Sequence, residues 1–328
     1  MTKRIIQITL AVAALCAALN SPPARAADDA SASAYKPELG PFKVQSIKRM
    51  VLNDAKRTKD LQLRITYPAG NGTFPVVVFS HGAGGSKDNY QPLMEHWASH
   101  GYVTIQPTHS DSRSLAAKAS DPVNFRDWQS RPADISFILD SFPELENQEP
   151  ALRGHLDAKC IGVGGHSFGA NTAQLIGGAK AFVIGAEKIF ADQRVTAVML
   201  LSGQGPGEML RETSWQNFAK PLFVMTGSAD GPTRTGQPAE WRKKPYELSP
   251  PGDKYLVWVQ DLDHGFGGIT GWNFNPKNKP NPDHVRYTKI ATLAYWDAYL
   301  KDNKEARAYL ESGKLSAFSK GAVHLDHK

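Results

Sequence analysis

The chain has 328 residues, of which 41% are apolar and 21% charged, with a formal charge of +6. That length and apolar content allow a large buried core and exclude a disordered or low-complexity chain. Basic residues are interleaved with acids and form no Lys/Arg run, so no nucleic-acid partner is expected.

Residues 1–26 read as a cleaved export signal. Lys3 and Arg4 form a basic start, Ile5 to Leu19 is apolar, and Ala24-Arg25-Ala26 offers a small-x-small cleavage site. The apolar run is shorter than the roughly 20 residues that span a bilayer, so stable membrane insertion is not expected. The expected location is therefore periplasmic or secreted. Cleavage removes Lys3, Arg4 and Arg25 and lowers the formal charge from +6 to +3. It also removes Cys16, leaving Cys160 without a partner for an internal disulfide. Within its apolar run, Cys160 is expected to be an inert buried thiol. Residues 27–42 read as an N-terminal extension and 43–328 as one domain.

Along that domain, "KVQSIKRMVL" (43–52) and "LQLRITY" (61–67) read as early strands, the second with period-two alternation. "FPVVVFS" (74–80) and "YVTIQP" (102–107) read as buried strands, with a helix between them from Tyr90 to His100. "RPADISFILDSF" (131–142) fits a helix with Pro near its start. Strands follow at "CIGVGG" (160–165), "VTAVMLLS" (195–202), "PLFVMTG" (221–227) and "YLVWVQ" (255–260). An amphipathic helix then runs from about His284 to Leu300, and the tail that carries His324 and His327 is expected to fray. Such alternation implies an α/β domain with a mostly parallel sheet and helices on both faces.

An open parallel sheet collects its chemistry at the carboxyl ends of its strands. The first informative end is "CIGVGGHSFGAN" (160–171), where Ser167 sits between Gly165 and Gly169. Strand before and helix after are the context in which a serine is exposed on a strained turn as a nucleophile. A plain Gly-rich turn is the competing interpretation. A dinucleotide loop would need a third glycine at position 167. The second end, "SHGAGGSKDNY" (80–90), is a Gly-rich loop whose backbone can approach a developing oxyanion. Its Ala83 amide and that of Phe168 are the candidate donors.

The third end, "PLFVMTGSADGP", places Asp230 just past a strong strand. The fourth, "YLVWVQDLDHGFGG", places His264 after the last strand. The strand–serine–helix turn resembles that of the α/β-hydrolases, and the resemblance implies triad partners in the order serine, acid, histidine. His264, His284, His324 and His327 satisfy that order relative to Asp230. His284 opens a helix and the last two lie in the tail, so His264 is preferred. Asp261 and Asp263 are rival acids, but as near neighbours of His264 in the chain they are poorly placed behind its ring.

Together "VVVFSHGAGG", "GHSFGAN", "GSAD" and "DHGFGG" resemble the α/β-hydrolase superfamily. Within it the chain resembles the platelet-activating-factor acetylhydrolase-like and dienelactone-hydrolase-like esterases. The resemblance covers about residues 43–300 and includes "RTKDLQLRITYPAG" and "DWQSRPADISFILD". It implies an α/β-hydrolase fold without a large lid domain. It also implies a serine esterase that acts through an acyl-enzyme with the triad Ser167, Asp230 and His264 and with no cofactor or metal. The expected partner is a small-molecule or polymeric ester. Polyester, lipid and thioester hydrolysis are alternatives, as is a catalytically silent binding protein of the same fold. Long loops after the strands hold Trp241, Trp272 and Phe274, the candidate substrate-binding residues. Nothing in the sequence fixes the oligomeric state.

Overall fold

The structure, a computed structural model, describes residues 35–116, 123–232, 236–271 and 279–328. The expected leader at 1–26 lies outside the described residues, as do Trp272 and Phe274.

Strands β1 (Val44–Asp54) and β2 (Lys59–Pro68) form an antiparallel hairpin. The alternation read in β2 buries Leu61, Leu63 and Ile65 on one side. Next come β3 (Phe74–Ser80), α1 (Gln91–Ser99) and β4 (Val103–Pro107). Helices α2 (Ser130–Asp140) and α3 (Phe142–Gln148) lead to β5 (Leu156–His166), which feeds α4 (Phe168–Gly177). A small two-stranded hairpin, β6 (Ala181–Val183) and β7 (Ala186–Lys188), precedes β8 (Val195–Leu201) and β9 (Leu222–Ala229). The short α5 (Lys244–Leu248) then leads to β10 (Lys254–Asp263). The chain continues through α6 (Pro282–Leu300), α7 (Lys304–Leu310), α8 (Lys314–Phe318) and β11 (Val323–His327).

Nine of these strands form one sheet in the order β1-β2-β4-β3-β5-β8-β9-β10-β11. The strands from β4 to β10 run parallel, while β1, β2 and β11 are antiparallel additions at the edges. The central strands are apolar on both faces because helices cover both. In β3, Val76 and Val78 enter one core with Ile135 of α2 and Ala170 of α4. Val77 and Phe79 enter the other, with Trp97 of α1 and Trp296 of α6. Helix α6 starts where Asn281 caps the amides of Asp283 and His284 and Pro282 occupies the first turn. No described helix is long and apolar enough to cross a membrane.

The expected strands and helices are all present, with ends shifted by a few residues. The frayed tail is a correction: residues 323–327 are an edge strand that pairs with β10 from Tyr255↔His327 to Val259↔Val323. Its main-chain hydrogen bonds hold it regardless of its polar sequence. Part of the N-terminal extension also packs on the domain, since Tyr35 is buried and its hydroxyl donates to Asp297 Oδ2 at 3.2 Å. Cys160 is half-buried, not sealed, and burial together with Asp157 raises its thiol above the ordinary value.

Candidate active site

Ser167 stands at the turn between β5 and α4 with φ 55° and ψ −116°, a conformation that strains any side-chain-bearing residue. The strain is held by packing and hydrogen bonding. Ser167 N–H donates to Leu201 O of β8 at 2.9 Å. A Cβ on Gly165 would collide with the Gly169 carbonyl, and one on Gly169 with the Ser80 carbonyl. Both glycines are therefore required by close approach. They let the turn nest against the loop after β3.

The neighbouring strand ends supply the partners. His264, in the loop after β10, has Nε2 3.0 Å from Ser167 Oγ. Its Nδ1 lies 2.7 Å from Asp230 Oδ1, at the end of β9. In the neutral imidazole Nδ1–H donates to the carboxylate, which leaves Nε2 as the acceptor of the Ser167 hydroxyl. Asp261 is bonded by Gln260 Nε2 and Asp263 accepts from Gly265 N–H, so it is Asp230 that faces the ring. His284 lies against Asn281 at the start of α6, and His324 and His327 belong to β11.

Asp230 is fully buried and accepts further bonds from Ser202 Oγ at 3.0 Å and Thr226 Oγ1 at 2.8 Å. Burial opposes its ionisation, but the Arg242 guanidinium and the hydrogen bonds from His264 and Ser202 outweigh it and hold the carboxyl below its ordinary value. Arg242 Nε lies 3.1 Å from Asp230 Oδ1, and the same guanidinium donates to the carbonyls of Asp230 and Ser202. Arg242 thus clamps the acid and the end of β8 together.

The loop after β3 carries Ala83. Gly82 N–H donates to Tyr90 Oη at 3.1 Å and Gly84 N–H to Asp111 Oδ2 at 3.1 Å. The amides on either side of Ala83 are thus occupied. Phe168, the other candidate donor, opens α4, where first-turn amides have no intrahelical acceptor. Its ring packs under the Arg131 guanidinium at 4.5 Å and edge-on to Phe125 at 5.5 Å.

Tyr90 links this loop to the histidine. Its hydroxyl is 3.0 Å from His166 Nδ1, and His166 Nε2 is 2.9 Å from His264 O. Burial, with the nearby His264, pushes His166 well below the ordinary imidazole value, so it stays neutral. As a neutral ring it accepts from Tyr90 and donates to the His264 carbonyl. Trp241 is half-buried with Nε1 donating to Pro206 O at 2.8 Å, which ties two loops together. Among the described residues no three His, Cys, Asp or Glu side chains are grouped to hold a metal ion.

Arg242, Ser202, Tyr90 and Arg131 were not singled out from sequence. Tyr90, Ser202 and Arg131 lie in the quoted stretches "SHGAGGSKDNY", "VTAVMLLS" and "DWQSRPADISFILD", whereas Arg242 lies in none.

The geometry has counterparts in known proteins. The Chlorophyllase family matches residues 33–181, less than half of the chain, a range that includes Ala83 and Ser167 but not Asp230 or His264. Chlorophyllase-1, chloroplastic, of Citrus sinensis is 27% identical over 138 residues, 42% of this chain and 39% of its own. The protein of the same name from Citrus unshiu is 26% identical over the same shares. A Schizosaccharomyces pombe protein provisionally named phospholipase A2 is 36% identical over 92 residues, 25% of this chain and 21% of its own. The chain thus spans about two fifths or less of these relatives' length. Its sheet order and strand–serine–helix turn, with the Chlorophyllase match, identify the fold as that of an α/β-hydrolase. The relatives carry the names of enzymes that hydrolyse esters.

Proposed function

We propose that the protein is a serine carboxylic-ester hydrolase in which Ser167 is the nucleophile, His264 the general base and acid, and Asp230 the group that orients the imidazole. The observation that carries this is the hydrogen-bonded line from Ser167 Oγ through His264 to a buried carboxylate. In the first half-reaction His264 Nε2 takes the serine proton as Oγ attacks the ester carbonyl. The oxyanion is stabilised by the amides of Ala83 and Phe168. Collapse expels the alcohol, which takes the proton back from His264. Water then attacks the acyl-enzyme by the same proton route and releases the acid and free Ser167.

Phe125, 40% exposed, packs edge-on against the ring of Phe168. An exposed aromatic ring beside the proposed oxyanion donor favours an ester with an apolar acyl or alcohol group. The chlorophyllase and phospholipase names of the relatives agree with that class, as does the acetylhydrolase-like resemblance of the sequence. The leader-like pattern of residues 1–26 supports action after export.

Ser167→Ala tests the reading. Hydrolysis of nitrophenyl esters is expected to fall by roughly 10⁴- to 10⁶-fold with an unchanged melting temperature. A folded variant that kept a tenth of the turnover would refute it.

A further inference from the structure

Behind the loop that carries Ala83 lies a second charged network, sealed from solvent. Arg131 of α2 grips Asp111 with both prongs, Nε to Oδ1 at 2.9 Å and Nη2 to Oδ2 at 2.8 Å, and both side chains are buried. The remaining nitrogen, Nη1, donates to His81 O at 2.7 Å and Ser80 Oγ at 3.2 Å. Asp111 Oδ2 also accepts Gly84 N–H. His81 Nε2 accepts from His109 N–H, so its other nitrogen carries the proton and donates to Gly82 O at 2.6 Å. The backbone is therefore held at residues 81, 82 and 84, on both sides of Ala83. The same guanidinium lies over the Phe168 ring, 4.5 Å from its centroid.

The network contains its own serine, histidine and aspartate. Ser80 Oγ is 2.9 Å from His109 Nε2, and His109 Nδ1 is 2.8 Å from Asp134 Oδ2. This copy is not a second nucleophile. Ser80 and His109 are wholly buried, Ser80 Oγ already accepts from Arg131, and Asp134 is neutralised by Lys59 and Arg57. It serves instead as a floor on which the Arg131–Asp111 pair is seated.

We infer that Arg131 and Asp111 are positioning residues for the oxyanion hole. One buried ion pair fixes the loop of Ala83 and the ring of Phe168 relative to each other, and so aims both amides at one point. The inference rests on the ester-hydrolase reading and deepens it. Donors placed before the reaction stabilise the charge that develops in the transition state, and displacing one of them costs roughly 10²- to 10³-fold in turnover. A ground-state ligand makes no such demand.

The test compares the wild type with Arg131→Lys, which keeps the charge but loses the fork, and with the double variant Arg131→Gln/Asp111→Asn. The double variant keeps hydrogen-bonding groups without leaving a buried charge unpaired. Each is assayed with a nitrophenyl ester. Each is also assayed with an aryl trifluoromethyl ketone, whose serine adduct carries an oxyanion, and with the matching carbinol, which binds without one. The expected result is a loss of kcat/KM of roughly 10²-fold, matched by an equal rise in the ketone Ki. The carbinol Ki should stay within about threefold, as for any ligand that makes no oxyanion contact. Equal weakening of ketone and carbinol, or near-wild-type turnover in both folded variants, would overturn the positioning role alone. Failure of both variants to fold would also overturn it, by making the pair a folding requirement. A wild type that neither hydrolyses esters nor binds the ketone would overturn the hydrolase reading and this inference with it.

Discussion

Asp230→Asn removes one charge from a carboxylate whose contacts are all defined. Oδ1 faces His264 Nδ1 at 2.7 Å, Ser202 Oγ at 3.0 Å and Arg242 Nε at 3.1 Å, while among the described residues Oδ2 accepts only from Thr226 Oγ1 at 2.8 Å. Three donors converge on one oxygen, so the new amide oxygen takes the Oδ1 place. Its NH₂ then turns to Thr226, whose hydroxyl can reverse and accept. The imidazole keeps its tautomer, and what is lost is the attraction between the carboxylate and the imidazolium of the transition state. A pair about 4 Å apart at an effective dielectric of about 20 gains about 4 kcal/mol, or roughly 10³ in rate. The opposite amide orientation would force the wrong tautomer and cost roughly 10⁴. Adding Arg242→Met removes the stranded cation and should return part of the lost rate. The assay is kcat on a nitrophenyl ester, with melting temperature as control for folding. A loss below tenfold in the folded single variant would refute the argument.

Stability should weaken in acid in two stages. Burial and the Arg131 charge push His109 down to about 4, and His81 is likewise lowered, so the unfolded chain binds more protons below its ordinary value of about 6.5. Stability is then lost as pH falls from about 6.5 to about 4, about 3 kcal/mol for His109 alone. Asp111, which burial would raise but Arg131 holds at about 2, adds a second loss between about pH 4 and pH 2. Urea midpoints that do not move between pH 7.5 and 4.5 would contradict this. Tyr90→Phe removes the acceptor of Gly82 N–H and the donor to His166, and should lower kcat by about tenfold or more, since small misplacements at a reacting centre are amplified. An unchanged kcat in the folded variant would refute the link. Gly169→Ala drives a methyl into the Ser80 carbonyl and should cost about 1–3 kcal/mol or prevent folding, as read by thermal melting.

The strands and the candidate triad were legible because each leaves a local signal. "FPVVVFS" is short, rich in β-branched residues and apolar throughout, the pattern of a strand covered on both faces. Ser167, Asp230 and His264 each stand just past such a run in the expected order. The two supporting arginines have no such signature. Arg242 reaches Asp230 and Ser202 from a loop, and Arg131 reaches Asp111 from a helix. Contacts of that kind join a long side chain to distant backbone and obey no period. Strand β11 escaped for a related reason. "VHLDH" has the alternation but is short and polar, because an edge strand needs apolar side chains on little of its surface. The hairpin of β6 and β7 is shorter still, at three residues a strand.

The pairing of β11 with β10 bears on how the sheet is bordered. Without it, β10 would offer the open backbone of Tyr255 to Val259, within the apolar run "YLVWV", to any other extended chain. An uncovered edge of that kind recruits strands from neighbouring molecules. With β11 in place the outermost strand bears His324, Asp326 and His327, whose polar side chains make the border unattractive to further strands. Strand β11 thus acts as a selvedge, a bound border of polar side chains along the β10 side of the sheet.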